Sequence, residues 1–162
     1  MSSMPTIQIF DLDERRILAF DMVDILQLIE PFATGLRWYI ARCEIVCLVN
    51  GTSEIKDAIP AWVLGLRSTL ADSKEIVAIE WDTLKEFARN ILQTEWANLI
   101  AVNPGATPPA EPLDLNNPAF EIVVQAVDTG FWAITTRNDA LIANVANHFK
   151  ATKIVEKAVR YF

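Results

Sequence analysis

The sequence has one histidine, two cysteines and five glycines, and each shortage removes a class of chemistry. Hydrolases with a serine or cysteine nucleophile need an imidazole base beside it. The single His148 closes an apolar helical pattern next to Phe149, and no Gly-x-Ser-x-Gly elbow accompanies it. A cation suits the end of a helix, so a structural place is expected for this side chain. Cys43 and Cys47 share one apolar run. As strand residues they stand about 13 Å apart, beyond disulfide reach. With one histidine they complete no zinc set, and they read as small buried hydrophobes of a reducing compartment. The few glycines form neither Gly-x-Gly-x-x-Gly nor Gly-Lys-Ser/Thr, so there is no turn of either kind to cradle a phosphate.

Basic residues are also scarce. Lys and Arg number 14 against 21 Asp and Glu, a net charge of -7, and they are scattered along the chain. Phosphate backbones demand clustered cations, so nucleic-acid binding is not expected. No uncharged apolar run approaches the roughly 18 residues of a spanning helix, and residues 1–10 lack the Lys or Arg of a signal peptide. No membrane contact and a cytoplasmic location follow as expectations, and nothing in the chain asks for a cofactor.

Apolar residues make up 52% of the 162 residues, which rules out disorder of the whole. A chain of this length buries roughly 70% of its unfolded surface as one domain. Two short apolar runs at 6–10 and 16–20 flank Asp11-Leu12-Asp13-Glu14-Arg15 and predict a hairpin. Asp21 predicts a helix cap, with Met22, Ile25, Leu26, Ile29 and Phe32 inward and Pro31 and Gly35 at the close. Residues 36–49 read as a long strand, or two strands, ending at the turn Asn50-Gly51. A second helix opens at Asp57 with Ile59, Trp62, Val63, Leu66 and Leu70 on its core face. A short strand at 75–81 leads into a helix capped by Asp82, with Leu84, Phe87, Ala88, Ile91 and Leu92 inward. Residues 96–102 suit either a strand or more of that helix. Five of the eight prolines fall within 103–119, which predicts an exposed, semi-stiff loop. A hairpin turning at Asp128-Thr129-Gly130 joins 120–127 to 131–136, and Asn138 caps a last helix. Residues 152–162 fit either a strand or a helical stripe. The expected fold is α+β, a mainly antiparallel sheet with about four helices packed on it, in a single domain.

Two resemblances stand out. Ile9-Phe10-Asp11-Leu12-Asp13 resembles the first motif of haloacid-dehalogenase-type phosphotransferases, in which the two carboxylates act around magnesium. Glu14 and Arg15 stand where that family has a small residue and then Thr or Val. No acidic pair follows Ile134-Thr135-Thr136, so hairpin turn residues account for Asp11 and Asp13. A metal-dependent hydrolase built on these two aspartates is the remotest reading. The second lies in the later half, where Trp81-Asp82-x-Leu84 precedes Val123-x-Gln125-Ala126-Val127-Asp128-Thr129-Gly130-Phe131-Trp132-Ala133-Ile134. Asn138-Asp139-x-Leu141-Ile142 and Phe149 follow. This order resembles small bacterial α+β proteins of toxin-immunity families. The resemblance implies a non-enzymatic protein that binds and blocks a basic toxin through an acidic face.

The candidate contacts are Asp11, Asp13 and Glu14 in the first turn, Glu95 with Trp96, and Asp128 with Trp132. Carboxylates steer a basic partner and aromatics anchor it. The alternative is a small-molecule-binding or regulatory domain with a pocket of Trp and Tyr, homodimeric through an exposed sheet edge.

Overall fold

The computed structural model describes residues 4–14, 18–47, 59–72 and 75–162. Its elements run β1 (Thr6–Ile9), α1 (Met22–Ala33), β2 (Arg37–Cys47), α2 (Ala61–Asp72), β3 (Ile76–Ile79) and α3 (Trp81–Arg89). Then come β4 (Ile91–Val102), β5 (Phe120–Val127), β6 (Phe131–Thr136), α4 (Asp139–His148) and β7 (Thr152–Val155). The seven strands form an antiparallel sheet in the order β3-β2-β4-β5-β6-β1-β7. This is the α+β class with four helices that the sequence predicts.

Strand alternation assigns each face its cover. Ile7 and Ile9, Leu99 and Ala101, Ile122 and Val124, and Trp132 and Ile134 share one buried cluster with residues of all four helices. Ile25, Leu26 and Ile29 of α1, Phe87 of α3 and Val145 of α4 are the helix side of that core. A second, smaller cluster holds Met4, Tyr39, Ile100, Val102 and Val123 on the opposite face, together with Leu113 and Leu115. The loop 103–119 has no regular element and exposes its prolines except Pro109, yet it turns these two leucines in as a cover for the sheet.

Several elements depart from the sequence expectation. The first hairpin does not form as expected: β1 pairs with β6 and β7, and among the described residues of the segment that follows there is the isolated bridge Leu12–Leu18. Both edges of β1 are taken by long-range partners, β6 and β7, which leaves none for a local strand. Pro31 lies inside the last turn of α1, and the chain leaves the helix through Thr34 and Gly35, whose φ of 79° suits a residue without Cβ. Asp57 and Asn50-Gly51 lie outside the described residues. The N-cap of α3 is Glu80 rather than Asp82, and Ile91 and Leu92 belong to β4. Trp62, expected in the core, is 42% exposed, while Val63 and Leu70 take the inward positions of α2. Residues 152–155 are the strand β7 and residues 156–162 run on without regular structure.

Strands β2 and β4 slip register three times where they pair, at Ala41/Glu44, Glu44/Ile45 and Val46/Cys47. Trp38 and Ile40 face the helices, so unbroken alternation would turn Cys43 and Ile45 the other way. One extra residue in β2 restores both to the core. That extra stretch holds Arg42 at a φ of 33°, an uncommon conformation for a residue with a side chain. Opposite, Leu92 is skipped between the partners Ile91 and Gln93, and its side chain is 57% exposed.

At the β5–β6 hairpin, the Gly130 N–H donates to the Val127 carbonyl at 2.8 Å across Asp128 and Thr129, whose φ values are 45° and 55°. Two left-handed residues match the twist of a hairpin, but a β-branched threonine fits there poorly. Replacing the pair with Asn-Gly (Asp128→Asn, Thr129→Gly) is expected to raise the urea midpoint by the equivalent of about 0.5–1 kcal/mol. An unchanged or lower midpoint would show that the Thr129 side chain contributes more than its backbone costs.

Candidate binding surface

The segment between β1 and α1 is built by carboxylates that bond main chain. Asp11 accepts from the N–H groups of Lys150 at 3.0 Å and Ala151 at 2.6 Å, which pins the segment to the turn between α4 and β7. The Ala19 N–H donates to the Asp11 carbonyl at 3.1 Å and closes the loop on itself. Leu12 at its tip is 49% exposed, Glu14 is exposed, and Asp13 points along one wall of a concavity.

Asp21 does more than the cap expected of it. Its carboxylate accepts from the Met22 N–H, while the Asp24 carboxylate accepts from the Asp21 N–H at 2.9 Å, completing a capping box. The same Asp21 carboxylate accepts from both the N–H and the hydroxyl of Thr94, tying the start of α1 to β4. Burial raises the Asp21 pKa above its ordinary 3.8, with a lesser push from Asp24; the Thr94 and Met22 hydrogen bonds oppose the rise.

These elements enclose a concavity of about 440 Å³ lined by Asp13, Asp21, Val23, Asp24, Leu92 and Thr129 among others. A smaller one of about 200 Å³ shares Ala19, Phe20 and Asp24 with it and adds Asp11, His148 and Phe149. No Lys or Arg is among the residues lining either; Arg15 and Arg16 lie outside the described residues. Val23 and Leu92 are exposed apolar side chains within this acidic setting. Among the described residues no group of three or more His, Cys, Asp or Glu is placed to hold a metal.

The remaining expected contacts are divided. Glu95 and Asp128 are exposed on either side of the link from the Thr129 N–H to the Glu95 carbonyl at 3.3 Å, so both stand beside the concavity. Trp96 lies on the opposite face of the sheet, edge-on to Phe162 at 4.9 Å and under the Arg42 guanidinium at 4.6 Å. Trp132 is 1% exposed and packs near Phe20, so its ring lies in the core and not on the surface. Missed in the sequence were Asp24, Val23 and Leu92. Asp24 was legible as the third residue after a cap; Leu92 was not, because a register slip exposes it.

A separate, larger cleft of about 640 Å³ lies where α1 ends and β2 begins, lined by Glu30, Arg37, Trp38, Tyr39, Glu80 and Trp81 among others. Trp38 and Trp81 meet there with ring centroids 4.8 Å apart and planes tilted by 38°, and the buried Trp38 Nε1 has no hydrogen-bond partner. No helix among the described residues is long and apolar enough to cross a membrane. Neither a family model, nor a curated protein, nor a solved structure matches the chain.

The raised pKa of Asp21 has a sign that can be measured. A carboxyl with a higher pKa folded than unfolded binds more protons in the native state between the two values. Its desolvated charge opposes folding at neutral pH, and protonation relieves that as pH falls towards 3.8. Asp21→Asn lacks this relief. The stability of the wild type relative to Asp21→Asn, from urea unfolding at several pH values, is expected to increase as pH drops from about 7 to about 4. A difference that shrinks over that range would place the charged form as the favoured one.

Proposed function

We propose that this chain is a binding protein that docks a basic protein partner on the acidic concavity between the 10–21 segment, α1 and β4, and acts by occluding that partner. Toxin immunity is the biological setting that the sequence resemblance implies. The observation that carries the reading is the composition of this surface: Asp13, Asp21 and Asp24 beside the exposed Val23 and Leu92, with no Lys or Arg lining it. Leu12 extends the apolar part outward. A cationic side chain from the partner would find the Asp21 and Asp24 carboxylates already held by backbone N–H groups, and the apolar residues would supply the desolvated contact that charge alone does not.

The test is titration calorimetry of the chain against the purified product of the gene adjoining its own. A saturable complex is expected whose affinity falls as salt rises. It is expected to weaken at least about tenfold with Asp13→Lys and Asp24→Lys together, and likewise with Leu92→Asp, as for charge reversal or disruption at an interface centre. Binding with no response to these variants would move the interface elsewhere, and no binding to that product would remove the immunity setting.

The Trp38–Trp81 cleft favours a second reading, small-molecule binding, because two indoles in contact line it beside Arg37 and Glu80. In a homodimeric form of this reading the free edge of β7, with Ile154 exposed, would be the joining strand.

A further inference from the structure

Residues 156–162 form a strap across the sheet face that the helices leave uncovered, and a row of buried polar side chains lies beneath it beside apolar ones. Thr6, Asn98, Gln125 and Thr135 are all buried on this face. Interior polar side chains destabilise unless bonded, so a polar stripe is a poor floor for simple packing and a good one for bonding a main chain. The bonds bear this out. The Thr6 hydroxyl donates to the Lys157 carbonyl at 2.9 Å. Gln125 uses both ends of its amide on the strap: its Nε2 donates to the Val159 carbonyl at 2.7 Å and its Oε1 accepts from the Tyr161 N–H at 3.2 Å. All three contacts go to backbone, so they are indifferent to the sequence of the segment that makes them.

Sequence is read at the far end. Gln8 donates to the Tyr161 hydroxyl, and the Tyr161 ring stands edge-on to Phe131 at 5.0 Å. Phe162 stands edge-on to Trp96, and the Arg42 guanidinium lies 4.6 Å from the Trp96 ring and 4.8 Å from the Phe162 ring. Arg42 reaches that place from the left-handed residue at the β2 register slip. Backbone strain of this kind persists where the surroundings enforce it and gathers at sites that bind. The strap itself buries little: none of its seven residues is fully buried, and Arg160 is tied to Glu111 and to the Leu113 carbonyl. It is held mainly by polar and aromatic contacts, with Ala158 packed against the smaller apolar cluster.

We infer that this face is a binding site for a peptide segment carrying two adjacent aromatic residues, and that residues 156–162 occupy it as an intramolecular ligand. Thr6 and Gln125 bond the backbone of the segment, and Gln8, Trp96 and Arg42 select its aromatic pair. A partner's segment of this chemistry gains access when the strap leaves. The site is independent of the acidic concavity.

The test uses the full chain and its Phe162→Ala variant, with a synthetic fluorescent peptide Glu-Lys-Ala-Val-Arg-Tyr-Phe as probe. In the variant, amide exchange at 156–162 is expected to rise at least about tenfold while that of β5 and β6 stays unchanged. The peptide is expected to bind the variant saturably. It should bind the wild type at least about tenfold more weakly, because the attached strap competes at an effective concentration of order millimolar. A peptide with both aromatics replaced by Ala should not bind, and Gln125→Leu added to the variant should abolish binding of the intact peptide. Unchanged exchange in 156–162, failure of the peptide to bind the variant, or equal binding to variant and wild type would each overturn the inference.

Discussion

A seven-stranded sheet has two faces to shield from water, and here all four helices contribute to one core cluster on one of them. That asymmetry governs the rest of the molecule. The helix face follows the ordinary rule for an antiparallel sheet, with Ile, Val, Leu and Trp side chains meeting the apolar stripes of the helices. Among the described residues, the other face is covered by the loop 103–119, the strap 156–162 and Met4 ahead of β1. Irregular chain leaves main-chain groups unpaired, which is costly unless the surface beneath supplies partners. Polar residues under a strap and apolar residues under Leu113 and Leu115 are the two solutions, side by side on one sheet. The polar portion is the one with recognition character, because backbone groups are the same in every peptide.

Much of this fold was legible where the determining contacts are local. Asp21 and Asn138 mark their helices because a short side-chain oxygen three residues from an orphan N–H is a local arrangement. The β5–β6 hairpin was legible for the same reason, its turn residues lying between two apolar runs. The failures were non-local. Residues 6–10 and 16–20 looked like one hairpin, yet β1 found β6 and β7 more than a hundred residues away, with Thr6 opposite Thr135 and Val155. Pattern alone cannot rank such partners, since every buried strand offers a similar row. Trp62 and Trp132 exchanged their expected roles because burial depends on what lies opposite each ring, and sequence does not record that.

The candidate surface was legible in part, and the division follows the same line. Asp11, Asp13 and Glu14 were identified as a cluster from adjacency, and Asp13 does line the concavity. Asp11 proved to be engaged, since its carboxylate holds two backbone N–H groups of the α4–β7 turn. The sequence around Asp21 marks it as a helix cap. Its second partner, Thr94, lies on a strand brought up by the tertiary fold, and the carboxylate it helps hold lines the concavity while largely withdrawn from water. A charge of this kind is costly to bury and already oriented, which suits a cationic partner that restores the lost solvation.

The register slips between β2 and β4 bear on both surfaces at once. A slip of one residue reverses which side of the sheet a side chain serves, so each extra residue lets a strand leave its apolar row and rejoin it. On the helix side, the skipped Leu92 is turned out towards the acidic concavity while Ile91 and Thr94 keep their buried places. On the other side, Arg42 is turned over Trp96 and Phe162 while Cys43 and Ile45 remain in the core. A sheet of unbroken alternation could present an apolar side chain to solvent only by giving up a core position. The slips separate those demands, so the same short stretch of two paired strands supplies an apolar contact to one face and a cation to the other with the core left intact.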